Sequence, residues 1–307
     1  MSDTISDQQP THAPPGRQLA PGLHLVGTPI GNMGDISARA IDALAGADLV
    51  ACEDTRVTGG LLHRLGVSAK LTPYHEHNAD AARPALLAKL AEGAAIVLVS
   101  DAGMPLVSDP GYRLVRACHE AGIRVTAVPG PSAVLTALAL AGLPTDRFQF
   151  VGFPPPKPGK LGTFCAELAE VRATLVLFEG VSRLDRTLAA LAKALGDREA
   201  AVCRELTKLH EEVRRGTLDT LAAHYAEAGP PKGEAVIVIA PPDAAAPPSA
   251  GALDDRLRQL LSAGESVRSA AERLAAESGV ARRALYRRAL ELAGKADAED
   301  RERPGER

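Results

Sequence analysis

The chain has 307 residues, of which 46% are hydrophobic and 24% are charged, a composition typical of a globular protein with roughly two domains. Its formal net charge is -3, which excludes a protein that coats nucleic acid by overall charge, so any RNA-binding surface must be a local basic patch. The sequence has no Trp and is 3% aromatic, so we do not expect stacking on splayed bases to be a major means of binding.

The cysteines and the N-terminal segment indicate the compartment. The four cysteines, at positions 52, 118, 165 and 203, have neither zinc-ligand nor redox-pair spacing, so we predict buried thiols and no metal site. No apolar run is long enough to span a bilayer, and the first 20 residues are polar and proline-containing. We therefore predict a disordered tail at 1–20 and a cytoplasmic protein with no membrane attachment.

Strand and helix patterns alternate along the first half of the chain. Helix patterns run from Asp35 or Ser37 to about Ala45, and then over 61–65, 85–91 and 114–120. Short apolar runs between them predict strands at 23–26, 48–51, 95–99 and 123–128. This alternation predicts a mainly parallel sheet covered by helices on both faces, in a domain at 21–131.

The second half repeats the alternation and then becomes purely helical. Strands are predicted at 148–151, 174–178, 200–203 and 235–240, which gives a second α/β domain at 132–241. A linker rich in Pro and Ala at 242–251 leads to a helical domain at 252–294. A charged, disordered tail is predicted at 295–307.

Several loops after strands have sequences suited to ligand binding, because parallel α/β folds bind ligands at the carboxyl ends of their strands. The loop at 27–32 contains two glycines that let the backbone approach a ligand, although, taken alone, a plain tight turn explains it better. The stretch at 100–105, followed by Ser-Asp-Pro-Gly at 108–111, can grip a flat ligand with main-chain groups, whereas Asp-Pro-Gly alone is ordinary turn chemistry. Pro-Gly-Pro-Ser-Ala at 129–133 is either a rigid connector or one wall of a cleft between domains.

Charged residues also follow the predicted strands. Glu53, Asp54 and Arg56 come after the second strand, where they are either a site or a helix cap with a surface ion pair. In the second half, Lys208 follows one strand, and Lys232 and Glu234 precede the last. Charges beside strands are more often solvated edges than catalysts, and both interpretations stay open.

Taken in order, these motifs resemble a known family. The motifs are Leu-Val-Gly-Thr-Pro-Ile-Gly-Asn at 25–32, Glu-Asp-Thr-Arg at 53–56, Ser-Asp-Ala-Gly-Met-Pro at 100–105, Asp-Pro-Gly-Tyr at 109–112, Pro-Gly-Pro-Ser-Ala at 129–133, Glu-Leu-Thr-Lys at 205–208 and Lys-Gly-Glu at 232–234. The chain resembles the ribosomal RNA small subunit methyltransferase I family of the tetrapyrrole methylase superfamily, over about residues 22 to 241 and more weakly over the helical end. The resemblance implies an α/β fold of two α/β domains of the tetrapyrrole-methylase type, plus a small C-terminal helical domain.

The resemblance also implies an activity. It implies S-adenosylmethionine bound in the cleft between the two domains of a homodimer, and 2′-O-methylation of a cytidine near the decoding site. The substrate would be small-subunit (16S) ribosomal RNA or the assembled small ribosomal subunit. The implied cofactor contacts are Thr28, Pro29, Ser100, Asp101, Ala102, Gly103, Ser132 and Ala133.

The sequence does not rank the candidates for the catalytic base. A ribose hydroxyl is a weak acid, so a base or a nearby positive charge should assist its attack. The candidates are Glu53, Asp54, Arg56, Lys208, Lys232 and Glu234. Members of the family commonly carry an aromatic-Glu-Ser-Pro-His-Arg-like stretch, but this chain has Phe-Glu-Gly-Val-Ser-Arg at 178–183. No role of that histidine can be transferred, although Glu179 and Arg183 remain.

The helical end offers a local basic face. Residues 266–278, a turn at Gly279 and a second helix at 282–292 predict a helix-turn-helix unit. Four arginines of the second helix are predicted to bind RNA, namely Arg282, Arg283, Arg287 and Arg288. The alternative is a small bundle with a solvated arginine face.

Two other functions remain compatible with the sequence. The chain could methylate a small molecule such as a tetrapyrrole, or a protein, because those relatives share the fold and the cofactor cleft. It could also be a non-catalytic RNA-binding factor that keeps the cleft only as a scaffold. The basic helical end and the Glu-Asp-Thr-Arg stretch favour RNA methylation.

Overall fold

The computed structural model describes residues 19–242 and 249–301, with side chains described as far as Gly294. Most of the predicted N-terminal tail (1–18), most of the predicted linker (243–248) and the last residues of the predicted C-terminal tail (302–307) lie outside this range. No helix in the described ranges has the length and apolarity needed to cross a membrane. Residues up to Pro241 form one compact unit, and residues from Pro242 form another.

The first sheet occupies the beginning of the larger unit. Its strands are β1 (Gly22–Val26), β2 (Leu49–Cys52), β3 (Leu71–Pro73), β4 (Ala95–Val99) and β5 (Val125–Val128). They lie in the order β3-β2-β4-β1-β5, and every pair is parallel. The predicted parallel sheet is confirmed, with the short edge strand β3 as an addition. All five carboxyl ends therefore meet at one edge, where the loops at 27–32, 53–54, 100–111 and 129–133 come together.

Helices cover both faces of the first sheet. They are α1 (Ala38–Ala45), α2 (Thr55–Leu65), α3 (Ala79–Ala91) and α4 (Tyr112–Glu120). β4 is buried over its full length, as expected of a central strand with helices on each side. One core contains Leu44, Val50 and Val97, and the other contains Leu23, Ile96 and Leu114.

Two helices of this half are longer than predicted. α2 begins at Thr55 rather than near 61, because the Asp54 carboxylate caps it by accepting a hydrogen bond from the Arg56 backbone at 2.8 Å. The glycines at 59 and 60, which weaken helix propensity, concealed this first turn from the sequence pattern. α3 begins at Ala79 rather than near 85 and contains Pro84 in its interior.

The second sheet is built differently from the first. Its strands are β6 (Phe148–Phe150), β7 (Thr174–Gly180), β8 (Glu199–Arg204), β9 (Glu212–Thr217) and β10 (Glu234–Ile239). They lie in the order β6-β7-β10-β8-β9, with β6 parallel to β7 and the other pairs antiparallel. The prediction missed β9, because its sequence Glu-Val-Arg-Arg-Gly-Thr lacks an apolar face and because it is an edge strand paired only with β8.

Alternate residues of the second sheet face two separate cores. On one side, Leu175, Leu177 and Ile237 pack against α6 (Pro158–Glu167), α7 (Leu184–Leu195) and α8 (Leu218–Ala228). On the other side, Val176 and Val238 pack against α5 (Ala133–Ala141). This two-residue alternation is the expected pattern of a sheet with both faces buried.

The C-terminal unit is helical, as predicted. It contains α9 (Ala250–Ser262), α10 (Val267–Ser278) and α11 (Arg282–Arg301), with Gly279 in the left-handed conformation at the turn. Leu257, Leu274 and Leu285 are central to its core. α11 runs past the predicted helix end at 292 and through residues 295–301, which were predicted to belong to a disordered tail. The Ala, Glu, Lys and Arg residues of this stretch favour a helix.

All four cysteines are buried, as the scattered spacing predicted. Cys52 and Cys118 lie in the two cores of the first sheet, and Cys165 and Cys203 lie in the two cores of the second. Burial raises the pKa of Cys118, Cys165 and Cys203 to about 11. These thiols therefore stay protonated at neutral pH.

Candidate active site

A cavity of about 360 Å³ lies between the two halves of the larger unit, within the usual range for a small-molecule site. One wall comes from the loop after β4 and from the start of α5. The other comes from the ends of β7 and β8 and from the start of β10. Residues predicted to bind cofactor line the first wall, namely Asp101, Ala102, Gly103, Ser132 and Ala133.

Behind the first wall, two loops are tied together by their backbones. Thr28 and Gly103 form a β-bridge, in which Thr28 N donates to Gly103 O at 2.9 Å and Gly103 N donates to Thr28 O at 3.1 Å. The Thr28 hydroxyl also donates to Ser100 O at 3.2 Å. Both Thr28 and Ser100 are almost fully buried, so they hold the shape of the wall rather than project into the cavity.

A pair of glycines allows the same loops to touch. A Cβ placed on Gly27 would lie 2.6 Å from the Cα of Gly130, and one placed on Gly130 would lie 2.7 Å from the Cα of Gly27. No side chain fits at either position without moving the backbone. The loops after β1 and β5 are therefore in direct main-chain contact, which fixes Ser132 at the start of α5, where it caps the helix by accepting from Leu135 N.

Four carboxylates gather at the carboxyl edge of the first sheet. Asp54 caps α2 and pairs with Arg56 at 2.7 Å, and hydrogen bonds from Arg56 lower the pKa of Asp54 to about 2. The Asp54 backbone donates to the Asp101 carboxylate at 3.2 Å. Burial and the neighbouring carboxylates raise the pKa of Glu53 and of Asp101. Asp109 is affected most, because burial and the charges of Glu53 and Asp101 raise its pKa to about 6.

The second wall carries a lysine held by two carboxylates. Lys208 Nζ lies 2.9 Å from Glu205 Oε1 and 3.2 Å from Glu234 Oε2. Burial lowers the pKa of Lys208, but the hydrogen bonds to Glu205 and Glu234 outweigh it and raise the pKa. The stem of Lys208 lies against Gly31, where a Cβ would be 2.5 Å from Lys208 Cγ. Lys208 therefore spans the cleft between the loop after β1 and the second sheet.

Backbone strain is concentrated on both sides of the cavity. Among the described residues, those other than glycine with positive φ are Leu106 (74°), Ser108 (63°), Glu205 (51°) and Thr207 (66°). Ser108 and Glu205 line the cavity, and the other two lie in the same loops. Such conformations cost of order 1 kcal/mol or more each and are found mostly at functional sites.

The predicted catalytic candidates differ in whether they line the cavity. Lys208 and Glu234 line the cavity, whereas Glu53 and Asp54 stand beside Asp101 without lining it. Arg56 is 89% exposed and paired with Asp54, so the interpretation as a helix cap with a surface ion pair describes this pair better. Lys232 is exposed away from the cavity, and its carbonyl accepts from Arg204 at 2.9 Å. Pro29 and Lys232 do not line the cavity, and the roles predicted for them stay predictions.

Asp109 and Phe153 line the cavity, but neither was among the predicted site residues. Asp109 lies in the stretch at 108–111 that was expected to grip a ligand with main-chain groups, and its carboxylate was not singled out. Phe153 lines the cavity and is 57% exposed. An aromatic residue in a Gly-Phe-Pro-Pro-Pro segment directly after a strand was its only signal.

The four predicted RNA-binding arginines of α11 have different surroundings. Arg288 makes a two-point ion pair with Asp254 of α9, at 2.7 and 2.5 Å, and a further contact with Glu291. Arg282 pairs with Glu272 of α10 at 2.8 Å. Arg283 and Arg287 are exposed, and no ion pair joins them to another side chain of the described ranges.

Comparison with known families agrees with this architecture. The family described as Tetrapyrrole (Corrin/Porphyrin) Methylases matches residues 22–222, about two thirds of the chain. The family described as the RsmI C-terminal HTH domain matches residues 248–293.

Curated relatives match along most of the chain. A protein of Mesorhizobium japonicum named Ribosomal RNA small subunit methyltransferase I is 52% identical over 91% of this chain and 94% of its own length. The proteins of that name from Synechocystis sp. and Escherichia coli O157:H7 are each 45% identical, over 88% and 89% of this chain and 98% and 96% of their own lengths. The chain belongs to the ribosomal RNA small subunit methyltransferase I family. As a member of this family it is a methyltransferase.

Solved structures confirm the fold of the larger unit. The uroporphyrin-III-C-methyltransferase of Thermus thermophilus is 25% identical, with a TM-score of 0.51 over 71% of this chain and 93% of that one. Diphthine synthase is 18% identical, with a TM-score of 0.54 over 71% of this chain and 89% of that one. The second likeness shows the fold alone.

The stretch at 178–183 is held by two charged side chains, Glu179 and Arg183. Glu179 is buried and lines the cavity. Its carboxylate accepts from Gly180 N at 2.8 Å and from the Thr187 hydroxyl at 2.6 Å, and it pairs with Arg183. The carboxylate is thus compensated, as a buried charge must be.

Proposed function

We propose that the chain transfers a methyl group from S-adenosylmethionine to the ribose 2′-hydroxyl of a cytidine near the decoding site of small-subunit (16S) ribosomal RNA. The observation that carries the proposal is the cavity between the two halves, in a chain of the ribosomal RNA small subunit methyltransferase I family. The relatives named above are ribosomal RNA methyltransferases by name, and the helical unit matches a helix-turn-helix family.

The residues of the cavity fit the cofactor. Gly103 lines the cavity with a φ of 83°, and a Cβ there would meet Ile30 at 3.3 Å, so this turn of the wall requires glycine. Apolar side chains such as Val134, Leu206 and Val236 suit a flat ring, and the carboxylates Asp101 and Asp109 favour a ligand with positive charge. When bound, S-adenosylmethionine supplies a methyl group on a cationic sulfur.

Asp109 is the group best suited to accept the hydroxyl proton. When the ribose oxygen takes up the methyl group that the bound cofactor would supply, the hydroxyl proton must pass to a group of the protein. An acceptor is most effective when its pKa is close to the working pH. Asp109 lines the cavity with a pKa raised to about 6, whereas Asp54, with a pKa of about 2, is a weak base.

Lys208 has a positioning role in this proposal. Its charge is compensated by Glu205 and Glu234, so it has little attraction left for a phosphate. Its stem packs on Gly31 across the cleft, and this contact keeps the two walls at a fixed separation. Such alignment matters because orientation alone can supply about 7–11 kcal/mol of barrier lowering in favourable cases.

Expectations about the compartment, the oligomeric state and the partner accompany the proposed activity. Ribosomal subunits are cytoplasmic in bacteria, so we place the chain in the cytoplasm. The homodimer stays a prediction from the family resemblance. The partner is small-subunit RNA, either free or within the assembled small subunit.

A labelling experiment tests the proposal. Purified protein is incubated with tritiated S-adenosylmethionine and small ribosomal subunits from a strain that lacks the counterpart enzyme, and the RNA is digested to nucleosides. We expect label in 2′-O-methylcytidine. Unlabelled RNA with cofactor binding intact by calorimetry would contradict the RNA substrate and favour a small-molecule or protein acceptor. Loss of both labelling and cofactor binding would favour the non-catalytic RNA-binding factor.

A further inference from the structure

Phe153 is an exposed aromatic ring at the mouth of the cavity. It lines the cavity and yet is 57% exposed. Its ring centroid lies 5.3 Å from that of Phe178, which in turn lies 4.8 Å from that of Phe150. Aromatic neighbours therefore support one side of the Phe153 ring and leave much of its surface open.

The segment that carries Phe153 is held in a defined shape. Gly152 O accepts from Phe178 N at 3.0 Å, and Pro154 O accepts from Arg183 Nη1 at 3.4 Å. Prolines at 154–156 and 158 restrict the backbone further. A ring fixed in this way binds a flat partner with little loss of conformational entropy.

Two lysines follow on the same segment. Lys157 and Lys160 are both exposed, and neither has an ion-pair partner among the side chains that the structure describes. Lys208, on the opposite wall, is held by two carboxylates. The lysines of this segment therefore remain available to an anionic ligand such as a phosphate.

We propose that the segment at 152–160 receives the target nucleotide, with the Phe153 ring stacked on the base and Lys157 and Lys160 against the neighbouring phosphates. The inference rests on the proposed function and adds to it how the RNA is held. A base must leave its stack before its ribose can reach an enclosed site, and exposed aromatic rings are the usual partners of such bases.

The cofactor is a less suitable stacking partner for the Phe153 ring than the target base. Small-molecule ligands are typically about 70–90% buried, whereas Phe153 stands at the exposed rim. The residues predicted to bind the cofactor come from other loops, and two of them, Thr28 and Ser100, are almost fully buried. The low aromatic content of the chain limits stacking to very few positions, and Phe153 is one of them.

The test compares substitutions of two exposed phenylalanines. Phe153→Ala should raise the KM for small ribosomal subunits about tenfold or more, the range expected for one stacked base. It should leave the Kd of S-adenosylmethionine unchanged, and Phe153→Trp should restore the wild-type KM. Phe148→Ala is the matched control, because Phe148 is 43% exposed on β6 and does not line the cavity. A Lys157→Ala, Lys160→Ala double variant should weaken RNA binding and reduce its salt slope by about 1 for each lysine.

The outcomes separate this inference from the proposed function. If the wild type methylates RNA and Phe153→Ala behaves like Phe148→Ala, the stacking role is wrong while the proposed function stands. A weakened Kd for S-adenosylmethionine in Phe153→Ala would instead assign the ring to the cofactor and overturn the inference. If the wild type does not methylate RNA at all, the proposed function fails and this inference fails with it.

Discussion

The surroundings of Asp109 raise the pKa of its carboxyl group. Burial is the largest cause of its raised pKa, followed by the charges of Glu53 and Asp101, and a hydrogen bond from Ser100 offsets part of the rise. Ionised Asp109 is therefore costly to the folded protein at neutral pH. A group that costs stability and lines a cavity is a good candidate for function.

Replacing Asp109 tests this assignment through catalysis. We expect Asp109→Asn to lower kcat about 100-fold, the lower end of the usual contribution of a general base. In the wild type, log kcat/KM should rise with pH up to about 6, where the carboxylate of the free enzyme becomes ionised, and then level off. Asp42→Asn on α1 is the control, because Asp42 is exposed and outside the cavity. A variant that kept the wild-type kcat and pH profile would show that another group accepts the proton.

The substitution that should lower kcat should also raise the stability of the folded protein. The pKa of Asp109 is raised from 3.8 to about 6 in the folded state, so between these values the folded protein binds more protons than the unfolded chain. The free energy of unfolding of the wild type therefore falls as the pH rises through this window and stays lower above it. We expect Asp109→Asn to have the higher Tm above pH 6, with the difference shrinking toward pH 4. A lower Tm for the variant at pH 7 would contradict this account.

At the scale of single residues, the sequence predicted the loops that form the site more accurately than the individual side chains that line it. Glu53, Asp54, Arg56 and Asp109 all lie near one another, but the sequence pattern favoured the first three. Asp54 and Arg56 satisfy each other, whereas Asp109 is surrounded by like charges. That difference depends on distances between loops, and residue types along the chain do not encode it directly.

At the scale of elements, the strands were largely predictable and their directions were not. The apolar runs of β4, β7 and β10 are visible in the sequence. The antiparallel pairing of β10 with β7 and β8 is set by which strands become neighbours. β9 was missed because an edge strand needs no apolar pattern, and its pairing with β8 fixes it instead.

The arginines of α11 differ in whether they form ion pairs with a neighbouring helix. Arg283 and Arg287 are free of ion pairs within the described side chains, whereas Arg288 joins α11 to Asp254 of α9. We therefore expect the Arg283→Ala, Arg287→Ala double variant to weaken RNA binding, with the salt slope reduced by about 1 for each arginine and Tm unchanged. Arg288→Ala should lower the Tm of the helical unit instead. If Arg288→Ala alone weakened RNA binding at unchanged Tm, this division would be wrong.

At the scale of the whole molecule, the chain consists of two compact units with separate cores. The leucine core of the helical unit is contributed entirely by residues beyond 252, and the cavity is lined entirely by residues before 237. Each unit therefore has the apolar interior that independent folding requires.

Truncation after Pro241 tests this independence. We expect the shortened chain to fold and to bind S-adenosylmethionine with the wild-type Kd, measured by calorimetry, because every residue that lines the cavity is retained. Its KM for small ribosomal subunits should rise, because Arg283 and Arg287 are lost. A truncated chain that folds but no longer binds S-adenosylmethionine would show that the cavity depends on the helical unit.

The burial of all four cysteines makes the native chain suitable for site-specific labelling. With pKa values of about 11 at three of them, few thiolates are present at neutral pH to react with a maleimide dye. The native thiols can therefore stay in place in a Val57→Cys, Leu209→Cys variant, since Val57 is 46% exposed on the first half and Leu209 is 93% exposed on the second. Energy transfer between the two dyes would then report whether the two walls of the cleft keep their separation as cofactor and RNA bind.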